Sequence, residues 1–360
     1  MRKQLRIAGL DTLRFLAALW VVFGHCGNPP LEHFVTSPHF LHQAVHAVVG
    51  NIFGPVPAVI VFFLISGFCI HYPYRAPNTF ELGPYLGRRY LRIGLPLVAA
   101  ILVADPLHVN LSLLQKSVLW SLVAELIFYS LYPFLRKLHA RVGWNKIIFV
   151  SYAASFATVA IFVPKAIDYG DSGIGLTWII CLPYWLLGCR LAEEDFESTR
   201  PLTASALWGW RLAVLAAAAT CNALRFHLSV GYPWTMGVFA VLLYFWLRLE
   251  IVSFLAKKPV RVLEWAGQWS YSIYLTHLIA FDLYGRMRLP DLGYLGNWIV
   301  LIGFVLLFGY AFYLVIEKPG HGIARWAANA MRKTPQVAVA PTPEITLQTE
   351  NTPVSVRSSE

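Results

Sequence analysis

Residues 9–27 read GLDTLRFLAALWVVFGHCG. From Leu10 to Cys26 the run is apolar except for Asp11, Thr12, Arg14, Gly24 and His25. It is long enough to cross most of a bilayer, and it follows the basic segment MRKQLR. This has the outline of a signal peptide. However, Arg14 interrupts the apolar part and no small-x-small cleavage site follows, so the segment is expected to be a retained first span. A charged side chain at mid-span costs roughly 2.5–3.5 kcal/mol on insertion scales, so such groups turn toward a partner or a water-filled cavity. Eleven residues separate Arg14 from His25, three helical turns plus about 20°, which puts both on one face about 16 Å apart along the axis. Two readings fit this spacing. The pair can line a polar path from one leaflet to the other, or Arg14 can snorkel to the headgroups while His25 marks the opposite interface. Asp11, three residues before Arg14, is placed to form an orienting ion pair with it.

The rest of the chain extends the same reading. Of 360 residues 57% are hydrophobic and only 13% charged, about half the roughly 25% charge of a soluble domain. Too little polar surface remains to coat a water-soluble globule. At roughly 20 residues per span the chain has room for about ten. Apolar runs bounded by Gly, Pro and charge place them near 9–27, 54–72, 90–105, 118–135, 146–164, 174–190, 208–226, 232–249, 268–286 and 296–317. Residues 43–53 either extend the second span or form a separate interfacial helix. The expected fold is an all-α polytopic membrane protein, a bundle of about ten transmembrane helices.

Charge sets the expected orientation. Alternating the loops between sides puts 23 of the 29 Lys and Arg on the side of the N-terminus. Five (Lys116, Lys165, Arg225, Arg286 and Arg288) fall on the other, and Arg14 lies within a span. By the positive-inside rule both termini are cytoplasmic. The net charge of +10 then follows from topology and calls for no nucleic-acid partner. Five cysteines without a CxxC pair read as small buried hydrophobes. The domain division is 1–333 for the helical bundle and 334–360 for a Pro- and Thr-rich cytoplasmic tail expected to be disordered. With no soluble catalytic domain in view, any chemistry belongs inside the bundle.

Further polar groups sit where a bilayer would not tolerate them without partners. Glu125, in SLVAELIFYSLYP, lies within about a helical turn of the depth of His25. It can bond His25 and fix its tautomer, or pair with an inward arginine. His277, in QWSYSIYLTHLIAF, is either satisfied by a neighbouring hydroxyl or lines a substrate channel. Ser66-Gly67 interrupts VIVFFLISGFCI, either for close helix packing or to expose backbone to a ligand. In GRRYLRIGLP, Arg89 and Arg92 share a face beside Arg88. They serve either as ordinary positive-inside anchors or as a phosphate site, since guanidinium groups bind phosphate through paired hydrogen bonds. Glu317-Lys318-Pro319 closes the tenth span. His33, His39, His42 and His46 fall in the outer segment, the last three spaced to share one helix face, but no Cys or carboxylate completes a metal set and none is assigned.

In order along the chain, these segments resemble the acyltransferase 3 family of membrane acyltransferases over most of residues 9–320. The opening span resembles the family's through Arg14, ten intervening residues and His25. VFFLISGFCI is similar to its FFxxSGxxI pattern, and RRYLRI to its Arg-x-x-Arg element through Arg89 and Arg92. SLVAELIFYSLYP is similar to its Glu-x-x-Phe-Tyr segment through Glu125, Phe128 and Tyr129. WSYSIYLTH resembles its SYSxYLxH segment, and Glu317-Lys318-Pro319 its late Glu-x-Pro element. The fused extracytoplasmic hydrolase-like domain of longer members has no counterpart in this sequence.

The resemblance implies transfer of an acyl group, commonly acetyl, from cytoplasmic acyl-CoA to a hydroxyl of an extracytoplasmic or lipid-linked glycan. The setting would be the bacterial cytoplasmic (inner) membrane. Acetyl-CoA would act as co-substrate, with no tightly bound cofactor. Membrane lipids would surround the bundle. On this reading Arg88, Arg89 and Arg92 hold the CoA phosphates, and Arg14 holds the thioester region or polarises its carbonyl. His25 acts as general base on the acceptor or takes the acyl group itself, with Glu125 orienting it. Ser66, Tyr271, His277 and Glu317 are expected to line the substrate channel. The competing class is a secondary transporter or exporter, which would also use intramembrane Arg, His and Glu along a path.

Overall fold

A computed structural model describes residues 7–34, 39–75, 80–109, 111 and 118–332. The expected disordered tail, 334–360, lies outside the described residues, as do the side chains of His39 and His46.

Every regular element among the described residues is helical. In chain order these are α1 Leu10–Cys26, α2 His39–Ile52, α3 Pro55–His71, α4 Leu82–Ala104, α5 Trp120–Val142, α6 Trp144–Phe162 and α7 Gly173–Leu191. There follow α8 Ala204–Leu228, α9 Tyr232–Ala256, the short α10 Arg261–Ala266, α11 Ser270–Arg286, α12 Gly293–Phe312 and α13 Lys318–Ala330. Each expected span has its helix. Of residues 43–53, all but Phe53 belong to a separate helix, α2, which ends before Gly54-Pro55. Proline fixes its own φ and disfavours helix for the residue before it, so the chain restarts at Pro55. One boundary differs materially. The third span was expected to begin at 90, but α4 begins at Leu82, so Arg88, Arg89 and Arg92 lie inside the helix rather than at its mouth.

Among the described residues, seven helical stretches are long and apolar enough to cross a membrane by length and composition. These include α4, α6, α7, α8 and α9, together with the α2–α3 and α12–α13 stretches. Helices α1 and α11 have only 17 residues each, about 25 Å at 1.5 Å per residue, against a hydrocarbon core of about 30 Å. Helix α5 carries Glu125, Arg136, Lys137 and Arg141. The three helices that fall short of the apolar pattern are the ones bearing Arg14, His25, Glu125 and His277.

Helix α3 is buried on nearly every face, and α7 packs along it. Their contact is backbone to backbone. A Cβ on Gly67 would stand 2.0 Å from the carbonyl oxygen of Trp185, and one on Gly188 would stand 2.0 Å from that of Leu64. Of the two readings of Ser66-Gly67, close packing accounts for the glycine. On the outside, large apolar side chains are bare: Phe149 is 75% exposed, Val238 71% and Leu307 67%. Water would penalise such a surface and lipid tails solvate it.

The first helix is fixed at its start by a partner far away in sequence. Glu264 Oε1, from α10, accepts from the backbone N–H of Gly9 (2.9 Å) and Thr12 (2.9 Å) and from the Thr12 hydroxyl (2.8 Å). A carboxylate there satisfies orphan N–H groups and complements the positive end of the helix dipole. One turn on, Arg14 Nη1 pairs with Asp11 Oδ1 at 2.9 Å, the expected i,i+3 ion pair.

Helices α12 and α13 are joined by a single π turn, Tyr313–Glu317. Pro319 has no N–H for the carbonyl four residues back, and the wider turn takes up that mismatch. The turn carries Glu317, 1% exposed, into the interior.

Candidate active site

Two cavities meet inside the bundle. The larger, about 630 Å³, is lined by Arg14 from α1 and by Arg88, Arg89 and Arg92 from α4. Ser66, Glu125, Tyr271 and Glu317 face the same space. It therefore gathers eight of the ten residues singled out from sequence, drawn from six elements. Arginines packed into one cavity repel each other and lose hydration, so the arrangement favours an anion of several charges, such as a polyphosphate.

The polar groups of this arginine cavity are held in place. Arg14 Nη2 donates to Cys69 Sγ at 3.2 Å as well as pairing with Asp11. Glu125 Oε1 accepts from both Ser66 Oγ and Tyr129 Oη. Trp185 Nε1 donates to Ser66 Oγ at 3.2 Å. Tyr271 donates to the carbonyl of Ile93 at 3.0 Å, tying α11 to α4. Glu317 Oε2 accepts from Ser272 Oγ at 2.5 Å, and its Oε1 lies 3.3 Å from His321 Nε2.

The smaller cavity, about 550 Å³, opens on His25. Its rim carries Trp120, Asp168 and Arg225, the last two joined by a forked ion pair of 3.2 and 2.6 Å. Arg14 and His25, on one helix face, thus serve different cavities.

His25 does not meet Glu125, as the sequence reading allowed. Glu125 is taken up by Ser66 and Tyr129, on the other cavity. The partner of His25 is His277: Nδ1 of His25 lies 3.0 Å from Nε2 of His277, with ring centroids 5.0 Å apart. Nor is His277 satisfied by a hydroxyl. Its Nδ1 lies 2.7 Å from the backbone carbonyl of Tyr274. A carbonyl only accepts, so His277 carries its proton on Nδ1. In a neutral pair its Nε2 is then an acceptor, and Nδ1–H of His25 donates to it. The proton relationship leaves the lone pair of His25 on Nε2, the tautomer a general base needs.

Several site residues were not singled out from sequence. His321 and Arg325, on α13, line the arginine cavity because α13 packs along α4. The only signal was the i,i+4 spacing of Glu317 and His321. Cys69, which lines the same cavity, read simply as a buried hydrophobe. His71, His139 and Glu193 present possible ligand atoms within 4.8 Å of one another. Yet His71 is complete without an ion, with Tyr132 Oη 3.0 Å from Nδ1 and Glu193 Oε1 2.5 Å from Nε2. Of the outer-segment histidines, His33 stacks on Tyr294 at 3.7 Å.

A helical bundle with an apolar exterior and charged groups around internal cavities is the architecture of a multi-pass membrane protein. The chain matches the family model described as an acyltransferase domain, Acyl_transf_3, over residues 7–315, and it belongs to that family of membrane acyltransferases. No curated protein and no solved structure matches it.

Proposed function

We propose that the protein transfers an acetyl group from acetyl-CoA, bound in the arginine cavity, to a hydroxyl of a glycan or lipid-linked saccharide held at the histidine cavity. One observation carries the reading: five arginines converge on one cavity, and a histidine with its lone pair on Nε2 opens on the next. Arg88, Arg89 and Arg92 bind the CoA phosphates, and Arg14 holds the thioester and draws charge from its carbonyl. The acceptor hydroxyl gives its proton to His25 Nε2 as its oxygen attacks the carbonyl carbon. The new C–O bond forms, the C–S bond breaks, and the proton returns to the departing thiolate directly or through water. His25 acts as base in this scheme. An acyl-histidine route would use the same lone pair.

The charge bias of the loops supports ten spans with both termini cytoplasmic, α1, α5 and α11 among them. The arginine cavity then faces the CoA pool and His25 the far side of a bacterial cytoplasmic membrane. The deciding experiment supplies labelled acetyl-CoA to membranes containing the wild type, His25→Ala or Arg14→Ala. Loss of acyl transfer in both variants is expected, and full retention in either would sink the assignment.

Two cavities in line also suit an exporter with alternating access. The discriminating measurement is thiol release from acetyl-CoA, which a transporter does not produce.

A further inference from the structure

The two cavities share two lining residues, Val59 and Tyr274. Tyr274 lies on α11, one turn before His277, and is 6% exposed. Its hydroxyl bridges the two sides. It donates to the carbonyl of Val118 at 2.7 Å and exchanges a hydrogen bond with Ser121 Oγ at 2.7 Å. Val118 lines the histidine cavity and Ser121 the arginine cavity. The ring stands edge-on to Phe62, which lines the arginine cavity, at 5.9 Å. The Tyr274 carbonyl receives the proton of His277 Nδ1 at 2.7 Å. Tyr274 therefore forms, with Val59, the wall between the cavities, latches that wall to the start of α5, and fixes the tautomer of the histidine pair beside it.

We propose that Tyr274 is a positioning residue that partitions the donor cavity from the acceptor cavity. Its ring keeps water on the His25 side away from the bound thioester until an acceptor hydroxyl is in place. The proposal rests on the assignment of acyl-CoA to the arginine cavity. Without the ring, water takes the place of the acceptor: its oxygen bonds to the carbonyl carbon, the C–S bond breaks, and free acid and CoA thiol are released. Excluding water from a reactive acyl donor is a general requirement of such sites.

Two readouts on the full-length protein in vesicles test this. The first is CoA release from acetyl-CoA without acceptor, compared with transfer when acceptor is present. Tyr274→Ala is expected to raise acceptor-free release severalfold relative to transfer. Tyr274→Phe, which keeps the ring but loses the latch, is expected to fall between it and the wild type. The second needs no chemistry of the bundle. Cys69 lines the arginine cavity, and a small charged methanethiosulfonate is added to vesicles of either orientation, with its adduct on Cys69 read by peptide mass spectrometry. The wild type should be labelled from the arginine face only, and Tyr274→Ala from both. If Tyr274→Ala does not fold, Val59→Ala opens the same wall by a smaller change and should also admit label from the second face. Labelling from both faces in the wild type would overturn the partition, as would labelling from one face only in the folded variants. A wild type that releases no CoA under any condition would instead remove the acyltransfer assignment and leave the labelling to decide the partition.

Discussion

Nδ1 of His25 and Nε2 of His277 stand 3.0 Å apart, joining the first helix of the bundle to the eleventh beside the smaller cavity. The backbone carbonyl of Tyr274, 2.7 Å from His277 Nδ1, decides which way the protons in this pair point. In His277→Ala the His25 ring loses its side-chain partner and keeps only its backbone hydrogen bond to Val21, so its Nε2 lone pair is held less firmly toward the cavity. Acyl transfer should fall on the order of 10²-fold, with the KM for acetyl-CoA nearly unchanged because His277 does not line the arginine cavity. A large change in that KM with kcat intact would contradict the assignment.

Arg89 and Arg92 test the donor cavity separately. Charge-assisted bonds to phosphate are each worth about 1.5–3 kcal/mol, so Arg89→Ala or Arg92→Ala should raise the KM for acetyl-CoA by roughly 10-fold or more. Lysine restores the charge without the planar fork and should recover only part of the loss. Steady-state kinetics at two salt concentrations read both effects.

Glu125 is expected to act by holding Ser66 and Tyr129, whose hydroxyls both donate to its Oε1. Glu125→Gln keeps an accepting oxygen and should retain most of the thermal stability. Ser66 Oγ and Tyr129 Oη stand 3.2 Å apart and can bond each other, so Glu125→Leu leaves one buried donor without an acceptor, at about 1–3 kcal/mol, and should lower the melting temperature in detergent. Equal stability of the two variants would show that the hydroxyls find other partners.

Between α8 and α9, Glu250 is 1% exposed and receives Arg211 through bonds of 2.7 and 2.9 Å. Trp246 adds a third at 2.9 Å. Arg211→Ala strands this carboxylate and should destabilise the bundle by about 3–5 kcal/mol, whereas replacing both partners by apolar residues should cost much less. A double-mutant cycle on unfolding measures the difference.

Gly67→Ala is expected to part α3 from α7, because the added Cβ would lie 2.0 Å from a backbone carbonyl that cannot rotate away. The cost should be about 1–3 kcal/mol or more, read as a lower melting temperature. Ser66, one residue earlier, would move with it, so activity should fall as well.

Much of this site was legible along the chain. Arg14, Arg92, Glu125 and Glu317 stand out in apolar stretches because hydrocarbon penalises charge, and each lines the cavity in which such groups can be solvated. Partner choice was not legible. Depth along a helix allowed His25 and Glu125 to meet, but depth does not fix the direction in which each helix faces. Helix α5 turns Glu125 toward Ser66 on α3, and α11 offers His277 to His25 in its place. The short α13 was equally hidden, since its role at the site comes from packing along α4 rather than from any span pattern of its own.

By itself the sequence determined that the chain is helical and where its apolar helices run. It also determined that one face of the first helix carries both Arg14 and His25. Those are consequences of local periodicity and of the cost of charge in an apolar solvent, which act residue by residue. Only the tertiary structure decided that Arg14 and His25 serve separate cavities with Tyr274 between them. It alone decided that Glu264, 252 positions away from Thr12, caps the helix that carries both. Contacts at that separation depend on how helices pack and rotate against each other, and no local pattern encodes them.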